Sequence, residues 1–211
     1  KYHAKYIVAD DGPALVASLN FTRKCFDRTC DFVLTTYDAG VVAGLNAVFD
    51  ADCRAPGSAL PDQMSDRLIV GPDISRARFA ALIQEARRSI RIIDAKLTDP
   101  AMVALLRKKS AEGVTVTVLE RGSRGGLTSH GKLLLVDGTK AVVGSLSLSA
   151  LSLAFRREVA IVVSDRRAVG RLDDFFSSLI GPSPSTRDPQ PVTRNPEPLT
   201  RHPRFAKDAR S

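Results

Sequence analysis

The sequence predicts an α/β fold built from two related modules, each with a mixed β-sheet flanked by helices, and three observations predict it. The composition, with 44% hydrophobic and 26% charged residues among 211, is typical of globular α/β proteins. Strand-like and helix-like segments alternate along the second part of the chain. The segment that begins at His3 also aligns without a gap with the segment that begins at His130, a constant offset of 127 residues.

The repeat places a His-x-Lys-x4-Asp motif in each copy. The matched positions are His3 with His130, Lys5 with Lys132, Asp10 with Asp137, Ser18 with Ser145, Asp31 with Glu158, and Asp38 with Asp165. One such motif could arise by chance, but two followed by the same serine, acid and helix spacing indicate a duplicated module. We expect the two modules to be related by a pseudo-twofold axis within one chain, an intramolecular pseudo-dimer that needs no second subunit.

The second copy is preceded by segments that the first copy lacks. Residues 68–71 (LIVG) are typical of a buried strand, 74–88 of an amphipathic helix and 90–93 of another strand. Thr98 or Asp99 can cap the next helix, with Pro100 in its first turn and Gly113 just past its end. The β-branched run at 114–119 predicts a further strand.

Domain limits follow from this order of elements. We expect residues 1–51 to be the C-terminal part of a first module whose N-terminal part, roughly 60 residues or more, is missing. Residues 52–66, rich in turn formers, are predicted to be a linker, and residues 67–180 a complete second module. The last helix of that module is predicted over 165–180, after Ser164 as its N-cap. Residues 181–211, with seven prolines and scattered arginines, are predicted to form a flexible, mildly basic tail.

The two motifs favour phosphoryl-transfer chemistry. Residues two apart on a strand project to the same face, so His3 lies beside Lys5, and His130 beside Lys132. The lysine charge disfavours protonation of the neighbouring imidazole and can hold a phosphate. One histidine can attack phosphorus while the other protonates the leaving alkoxide, so the two motifs are predicted to form one site.

Other repeated polar residues complete the predicted site. Hydroxyl and amide groups at Ser18, Asn20, Ser145 and Ser147 are candidate hydrogen-bond donors to a bound phosphate. Asp31 and Glu158 are candidate carboxylates that orient the histidines, and the sequence leaves open which acid serves which histidine. Asp10 and Asp137 lie at an odd offset from their histidines, beside turns, and are predicted to have structural roles.

Composition limits the possible partners. The net charge of +8 favours anionic ligands: lipid head groups, nucleic acid or small phosphates. Cys25, Cys30 and Cys53 lack C-x-x-C spacing and indicate neither a disulfide framework nor a zinc site. No segment is long and apolar enough to span a membrane, and nothing resembles a signal peptide in a chain that begins with Lys1. We expect no cofactor and no metal.

The segments HAKYIVAD with SLN, and HGKLLLVD with GSLS and RREVAIVV, resemble the paired HKD motifs of the phospholipase D superfamily. The segment LNAVFDAD is similar to the region after an HKD motif in bacterial cardiolipin-synthase-like members. The resemblance covers about residues 1–180. It implies a metal-independent reaction through a covalent phosphohistidine, with His3 as the nucleophile and His130 as the general acid. It also implies a bacterial cytoplasmic or membrane-associated protein.

Two positions depart from the family pattern. Ser147 stands where the family usually has asparagine, and Ala17 where it usually has glycine. The resemblance favours hydrolysis or transfer of a phosphatidyl group in phospholipids, with contact to an anionic membrane surface as a further expectation. A metal-independent nuclease is the alternative, although the chain has no tryptophan and few aromatics for base stacking. A catalytically weak protein that binds phosphorylated ligands is the third hypothesis, motivated by Ser147.

Overall fold

The computed structural model describes residues 1–10, 12–55, 58–60, 64–120, 123–124 and 126–180. The predicted tail at 181–211 lies outside these residues. In chain order the first elements are β1 (Tyr6–Val8), β2 (Ala14–Ala17), α1 (Arg23–Arg28), β3 (Thr29–Cys30), β4 (Val33–Thr36) and α2 (Ala39–Arg54). The next are β5 (Leu68–Gly71), α3 (Ser75–Glu85), β6 (Ser89–Ile93), α4 (Pro100–Ala111), β7 (Thr115–Leu119), β8 (Ser123–Arg124) and β9 (Leu127–Ser129). The last are β10 (Leu133–Val136), β11 (Lys140–Gly144), α5 (Ala150–Phe155), β12 (Glu158–Val163) and α6 (Arg166–Ile180).

The strands form one large and two small sheets. The large sheet has the order β5-β12-β11-β10-β6-β7, in which only β6 and β7 run parallel, so it is mixed. A second sheet has the order β1-β2-β4 and is antiparallel. The third, β3-β9-β8, joins the two halves of the chain, because β3 pairs in parallel with β9. The predicted α/β class with a mixed sheet flanked by helices is confirmed.

The offset of 127 residues found in the sequence is repeated in the elements. Strands β1, β2 and β4 correspond to β10, β11 and β12, and helices α1 and α2 correspond to α5 and α6. Both helices of the last pair begin with the same cap: the Asp38 carboxylate accepts the backbone N–H of Val41, and the Asp165 carboxylate that of Ala168. Among the described residues, β5, β6, β7, α3 and α4 have no counterpart in the first half.

The large sheet is buried on both faces. Leu133 and Leu135 of β10 belong to a core that the two halves share, together with residues of β2, α2 and α6. Leu134 and Val136 face a second core beneath α3, α4 and α5. The small sheet is covered on one face only, since Ile7 of β1 is 53% exposed whereas its counterpart Leu134 is 2% exposed.

Some predicted boundaries differ from those observed. Helix α2 continues to Arg54, three residues past the predicted module limit at 51, and the Ala55 N–H bonds to the Ala51 carbonyl at its end. Helix α3 ends at Glu85 rather than at 88, because the N–H groups of Arg87 and Arg88 donate to the Asp137 carboxylate instead of continuing the helix. The cap of α6 is Asp165, one residue after the predicted Ser164.

Two further observations concern the helices. Of the two residues predicted as alternative caps for α4, Asp99 is the one that accepts the N–H of Met102. Among the described residues, no helix is long and apolar enough to cross a bilayer.

Candidate active site

The first motif lies immediately before β1. The Nζ atom of Lys5 donates to the carbonyl oxygen of His3 at 2.7 Å and lies 3.1 and 3.2 Å from the two ring nitrogens of the same residue. Lys5 is only 7% exposed. Nδ1 of His3 contacts Oε1 of Glu158 at 3.1 Å. The His3 ring is therefore held between a buried ammonium group and a buried carboxyl group.

The second motif lies between β9 and β10 and repeats this arrangement. Nδ1 of His130 is 2.9 Å from Oδ1 of Asp31. Nζ of Lys132 donates to the carbonyl oxygen of His130 at 2.9 Å, as Lys5 does to His3. The Asp31 side chain is almost fully buried, and the ring of His130 is partly exposed.

The carboxylates are exchanged between the two halves. Asp31 belongs to the first half and contacts the histidine of the second, whereas Glu158 belongs to the second half and contacts His3. The main chain shows the same exchange: the His3 N–H donates to the Arg157 carbonyl at 2.9 Å, and the His130 N–H to the Cys30 carbonyl at 3.1 Å. Each contact has its counterpart 127 residues away, so the pairing that the sequence left open is reciprocal.

The two carboxyl groups differ in their surroundings. Burial alone would raise the pKa of Asp31, but hydrogen bonds from His130, Thr29 and Ser18 outweigh burial and lower that pKa. The two hydroxyl bonds are 2.6 and 2.8 Å long. Glu158, 1% exposed, has its pKa raised by burial to about 7, against the opposing charge of Lys5. At neutral pH, Asp31 is ionised and Glu158 is close to half-ionised.

Burial and positive charge also act on the first motif. Burial, followed by the charge of Lys5 and then by that of Arg156, lowers the pKa of His3 to about 4, so its ring is neutral at pH 7. Burial lowers the pKa of Lys5 to about 8, although the charge of Glu158 opposes this shift. Burial likewise lowers the pKa of Lys132.

Two of the serines predicted to bind phosphate join neighbouring strands. The Ser18 hydroxyl accepts the N–H of Phe32 at 2.9 Å and donates to Asp31. The Ser145 hydroxyl, at the corresponding position, accepts the N–H of Val159 at 3.2 Å and lies 3.3 Å from its carbonyl oxygen. Both serines are fully or almost fully buried. In this structure their hydroxyls bond to protein groups, and their contact with a phosphate stays a prediction.

The other two predicted phosphate donors also have protein partners. The Ser147 hydroxyl lies 2.9 and 3.0 Å from the two carboxylate oxygens of Asp94, a buried residue just after β6. The Leu148 N–H donates to Asp94 as well, at 2.6 Å. The Asn20 side-chain amide lies 3.9 Å from the Cys25 sulfur. The sequence did not point to Asp94. This residue connects Ser147, which stands where the family that the motifs resemble usually has asparagine, to the end of β6.

The motif aspartates lie in turns away from the histidines. Asp10 and Asp137 both have positive φ angles, 37° and 55°. The Asp137 carboxylate accepts the N–H groups of Arg87, Arg88 and Ser89, which fixes the β10–β11 turn to the start of β6. The main-chain oxygen of Asp10 accepts the side-chain amide of Asn46 in α2. These contacts support structural roles for both aspartates, which stay a prediction.

Three further residues near the histidines were missed. Arg156 lies 3.8 Å from Glu158 and, together with Lys96, contributes positive charge at His3. Cys25 of α1 has its sulfur close to Asp31 and His130: among the described residues, the ligand atoms of these three lie within 4.8 Å of one another and could hold a metal ion. Arg156, Lys96 and Cys25 come close to the histidines only because the two halves pack together, so their spacing in the sequence gives no sign of it.

This geometry defines what the site can do chemically. Each imidazole has one ring nitrogen against a carboxyl group, which leaves the other nitrogen for proton transfer or attack. The Lys132 charge lowers the pKa of His3, so the two motifs act on each other electrostatically across the halves. The two imidazoles, the buried Lys5 and the partly exposed Lys132 can attack an anionic centre, neutralise its charge and move a proton to its leaving group.

Comparisons with known proteins agree at the level of the fold. No family model matches the sequence, and no curated protein matches it significantly. The structure is similar to polyphosphate kinase from Porphyromonas gingivalis, with a TM-score of 0.68 and 18% identity over 80% of this chain and 30% of that one. It is also similar to phosphatidylserine synthase from Haemophilus influenzae Rd KW20, with a TM-score of 0.60 and 11% identity over 85% of this chain and 62% of that one.

A third similar structure is Nuc from Salmonella typhimurium, described as a phospholipase D family member, with a TM-score of 0.47 and 19% identity over 54% of this chain and 92% of that one. The chain thus spans less than two thirds of the polyphosphate kinase and of the synthase. These similarities show that the chain shares its fold with the polyphosphate kinase and the synthase, and the family that the paired motifs suggest stays an expectation.

Proposed function

We propose that residues 1–51 and 67–180 are two modules of one site that transfers a phosphodiester through a covalent phosphohistidine. The observation that carries the proposal is the reciprocal exchange of carboxylates, Asp31 to His130 and Glu158 to His3. Each histidine depends on the other half for its orientation, as expected if both act in the same reaction.

In this proposal His3 attacks phosphorus. A nucleophilic imidazole must be neutral, and burial together with the neighbouring positive charges keeps His3 neutral at pH 7. An ionised Glu158 accepts a hydrogen bond from the Nδ1–H group, so that Nε2 carries the lone pair that attacks. The attack forms the phosphorus–nitrogen bond as the phosphorus–oxygen bond to the leaving group breaks.

His130 then serves as the general acid and base. Asp31 is ionised, and its contact with Nδ1 of His130 fixes the orientation of the ring. The protonated ring gives its proton to the leaving alkoxide. It then takes a proton from water or an alcohol, which attacks phosphorus and breaks the bond to His3. Water gives hydrolysis, and an alcohol gives transfer.

Lys5 and Lys132 supply the charge that a phosphodiester needs. Their ammonium groups lie beside the two histidines, and Arg156 and Lys96 add positive charge at His3. Interactions with non-bridging oxygens that strengthen as negative charge develops at phosphorus lower the barrier to reaction.

A phospholipid is the substrate that we favour. The supporting observation is a cavity of about 590 Å³ that adjoins Asp31 and is lined largely by apolar side chains. They include Phe32, Leu34, Leu172 and Phe175. Such a surface suits an acyl chain, whose head-group phosphate would then lie next to the Asp31–His130 pair.

A nucleic acid is the second candidate. The observation in its favour is the number of cations around His3, namely Lys5, Lys96, Lys132 and Arg156, in a chain with a net charge of +8. A polyanion with several adjacent phosphates would bind to such a surface.

The two candidates separate in one experiment. The full chain is incubated in the presence of EDTA with either phosphatidylglycerol vesicles or supercoiled plasmid. The proposal predicts release of the head-group alcohol, or its exchange for another, and no nicking. Nicked plasmid with intact lipid would assign a nuclease, and turnover of neither would leave a binder of phosphorylated ligands.

Matched histidine variants show whether the motif site is responsible. His3→Ala and His130→Ala should each lower kcat by roughly a thousandfold or more, to a small residual rate. His202→Ala changes the third histidine of the chain and should leave turnover intact.

A further inference from the structure

The thiol of Cys25 lies next to one of the two histidine–carboxylate pairs. Cys25 is in α1 and is 8% exposed. Its sulfur, a carboxylate oxygen of Asp31 and a ring nitrogen of His130 lie within 4.8 Å of one another. A thiol, a carboxylate and an imidazole are the three side-chain groups that most often bind Zn²⁺.

The spacing is close to that of a coordinated ion. Zinc lies about 2.3 Å from sulfur and about 2.0–2.1 Å from nitrogen in tetrahedral sites, so neighbouring ligand atoms are roughly 3.5 Å apart. Nδ1 of His130 and Oδ1 of Asp31, now 2.9 Å apart, need to separate slightly, and the Cys25 sulfur needs to approach them by about 1 Å, which side-chain rotations can provide. A thiolate and a carboxylate also bring two negative charges, so the occupied cluster is formally neutral beside Lys132.

The Thr29 side chain connects two of the three residues. Its hydroxyl lies 3.0 Å from the Cys25 carbonyl oxygen and 2.6 Å from Asp31. It therefore links the main chain of Cys25 to the Asp31 carboxylate.

The other half of the site lacks this arrangement. The residue 127 positions after Cys25 is Ser152, whose hydroxyl accepts the N–H of Ser147 at 2.9 Å. A neutral hydroxyl is a much weaker zinc ligand than a thiolate. The asymmetry therefore makes a soft-metal site in only one of the two half-sites.

We propose that Cys25, Asp31 and His130 form a binding site for a thiophilic divalent cation of the Zn²⁺ type, and that the bound ion inhibits the protein. The ion takes a ring nitrogen and the carboxylate out of the bond that orients His130, and the thiol proton is released to solvent. The inhibitory consequence rests on the function proposed above, whereas the binding site does not.

Binding is tested on the full chain without any substrate. The reduced, metal-free protein is titrated with Zn²⁺ in competition with a chromophoric chelator, and separately with Cd²⁺ while the ultraviolet thiolate-to-metal charge-transfer band is followed. We expect a charge-transfer band in the wild type. Cys25→Ser, which copies the other half-site, should lose the band and weaken Zn²⁺ binding by roughly tenfold or more. Cys53→Ser changes an exposed cysteine and should alter neither result.

A second variant separates loss of the site from loss of the fold. His130→Gln changes a partly exposed side chain and keeps Cys25; it should also weaken Zn²⁺ binding, with an unchanged circular dichroism spectrum. A charge-transfer band that persists in Cys25→Ser, or equal Zn²⁺ affinity in all variants, would overturn the site.

Inhibition is measured as the ratio of turnover with and without Zn²⁺ for the wild type, Cys53→Ser and Cys25→Ser. The ratio should fall in the wild type and in Cys53→Ser but not in Cys25→Ser. Binding without any change of this ratio would overturn the inhibitory role alone. Failure to find turnover on any substrate would count against the proposed function and leave the binding result standing.

Discussion

Nδ1 of His130 lies 2.9 Å from Oδ1 of Asp31, a residue 99 positions earlier in the chain, and the mirrored pair joins His3 to Glu158 at 3.1 Å. Each half thus orients the histidine of the other. A single half of the repeat would have an imidazole without its carboxylate, and this dependence leads to the first prediction.

Asp31 should act through His130 and not through His3. We expect Asp31→Asn to lower kcat by roughly a hundredfold, because the ring of the general acid loses the carboxylate that orients it. In a His130→Ala background the same change should have little further effect, since the partner is gone. A double-mutant cycle on kcat measures this coupling.

The mirrored cycle provides the control. Glu158→Gln should have little further effect on kcat in a His3→Ala background. Asp31→Asn, in contrast, should lower the residual kcat of His3→Ala further. If Asp31→Asn were coupled to His3 rather than to His130, the exchanged pairing would be refuted.

The pH dependence of kcat/KM should be a narrow bell. Glu158, with its pKa raised to about 7, is ionised only above that pH, and it must be ionised to accept the His3 proton. Lys5, with its pKa lowered to about 8, carries its charge only below that pH. Activity should therefore rise as pH increases through about 7 and fall as it passes about 8.

The basic limb can be assigned with Lys5→Arg. Arginine keeps its charge at high pH, so the variant should retain the acid limb and lose the fall above pH 8. A basic limb that stays in place in an active Lys5→Arg variant would show that another group is responsible.

Asp137 should stabilise the fold. Asp137→Asn keeps a residue that tolerates the positive φ angle but removes the charge that accepts three main-chain N–H groups, so it should cost about 1–3 kcal/mol of unfolding free energy. Backbone hydrogen bonds outweigh burial and depress the pKa of Asp137, so its contribution is present above the ordinary carboxyl pKa and is lost as pH falls through the depressed value.

Urea denaturation at neutral and acid pH measures both effects. Asp10→Asn is the matched control, because the contact of Asp10 with Asn46 uses the main-chain oxygen and survives the change. Equal losses for the two variants, or a loss in Asp137→Asn that does not shrink in acid, would contradict this account.

The first half has alanine at position 17, but alanine at the corresponding Gly144 should destabilise the protein. A Cβ on Gly144 would lie 2.3 Å from the Val159 carbonyl oxygen and 2.5 Å from the Ala160 Cα, so Gly144→Ala should lower the free energy of unfolding by roughly 1–3 kcal/mol or more. Ala17→Gly, at the corresponding position, should cost about 1 kcal/mol or less. Thermal unfolding of both variants compares them, and a fully stable Gly144→Ala would contradict the close contact between β11 and β12.

Much of the fold could be predicted because the repeat is visible in the sequence. The offset between His3 and His130 also aligns the strands, the helices and even the Asp38 and Asp165 caps. Helix ends were less predictable: α3 stops at Glu85 because Asp137, about 50 positions later, takes the N–H groups that follow. Long-range competition of this kind is absent from local patterns.

The sequence identified residues that lie together at the candidate site, but not how the histidines and carboxylates pair. Symmetry of the repeat identifies Asp31 and Glu158 as equivalent, yet an exchange between halves and a pairing within halves are consistent with the same spacing. Asp94 and Cys25 have no distinctive motif, and only packing brings them to Ser147 and to His130. The residue types were enough to suggest the chemistry, whereas the contacts between the residues could be seen only in the folded structure.

The most direct test of the central claim is to trap the covalent intermediate. The full chain is mixed with labelled phospholipid, quenched in alkali to preserve phosphohistidine, and digested for mass spectrometry. A shared site in which His3 attacks and His130 transfers protons predicts the label on His3, with none in His3→Ala. A label on His130 that persists in His3→Ala would contradict the account.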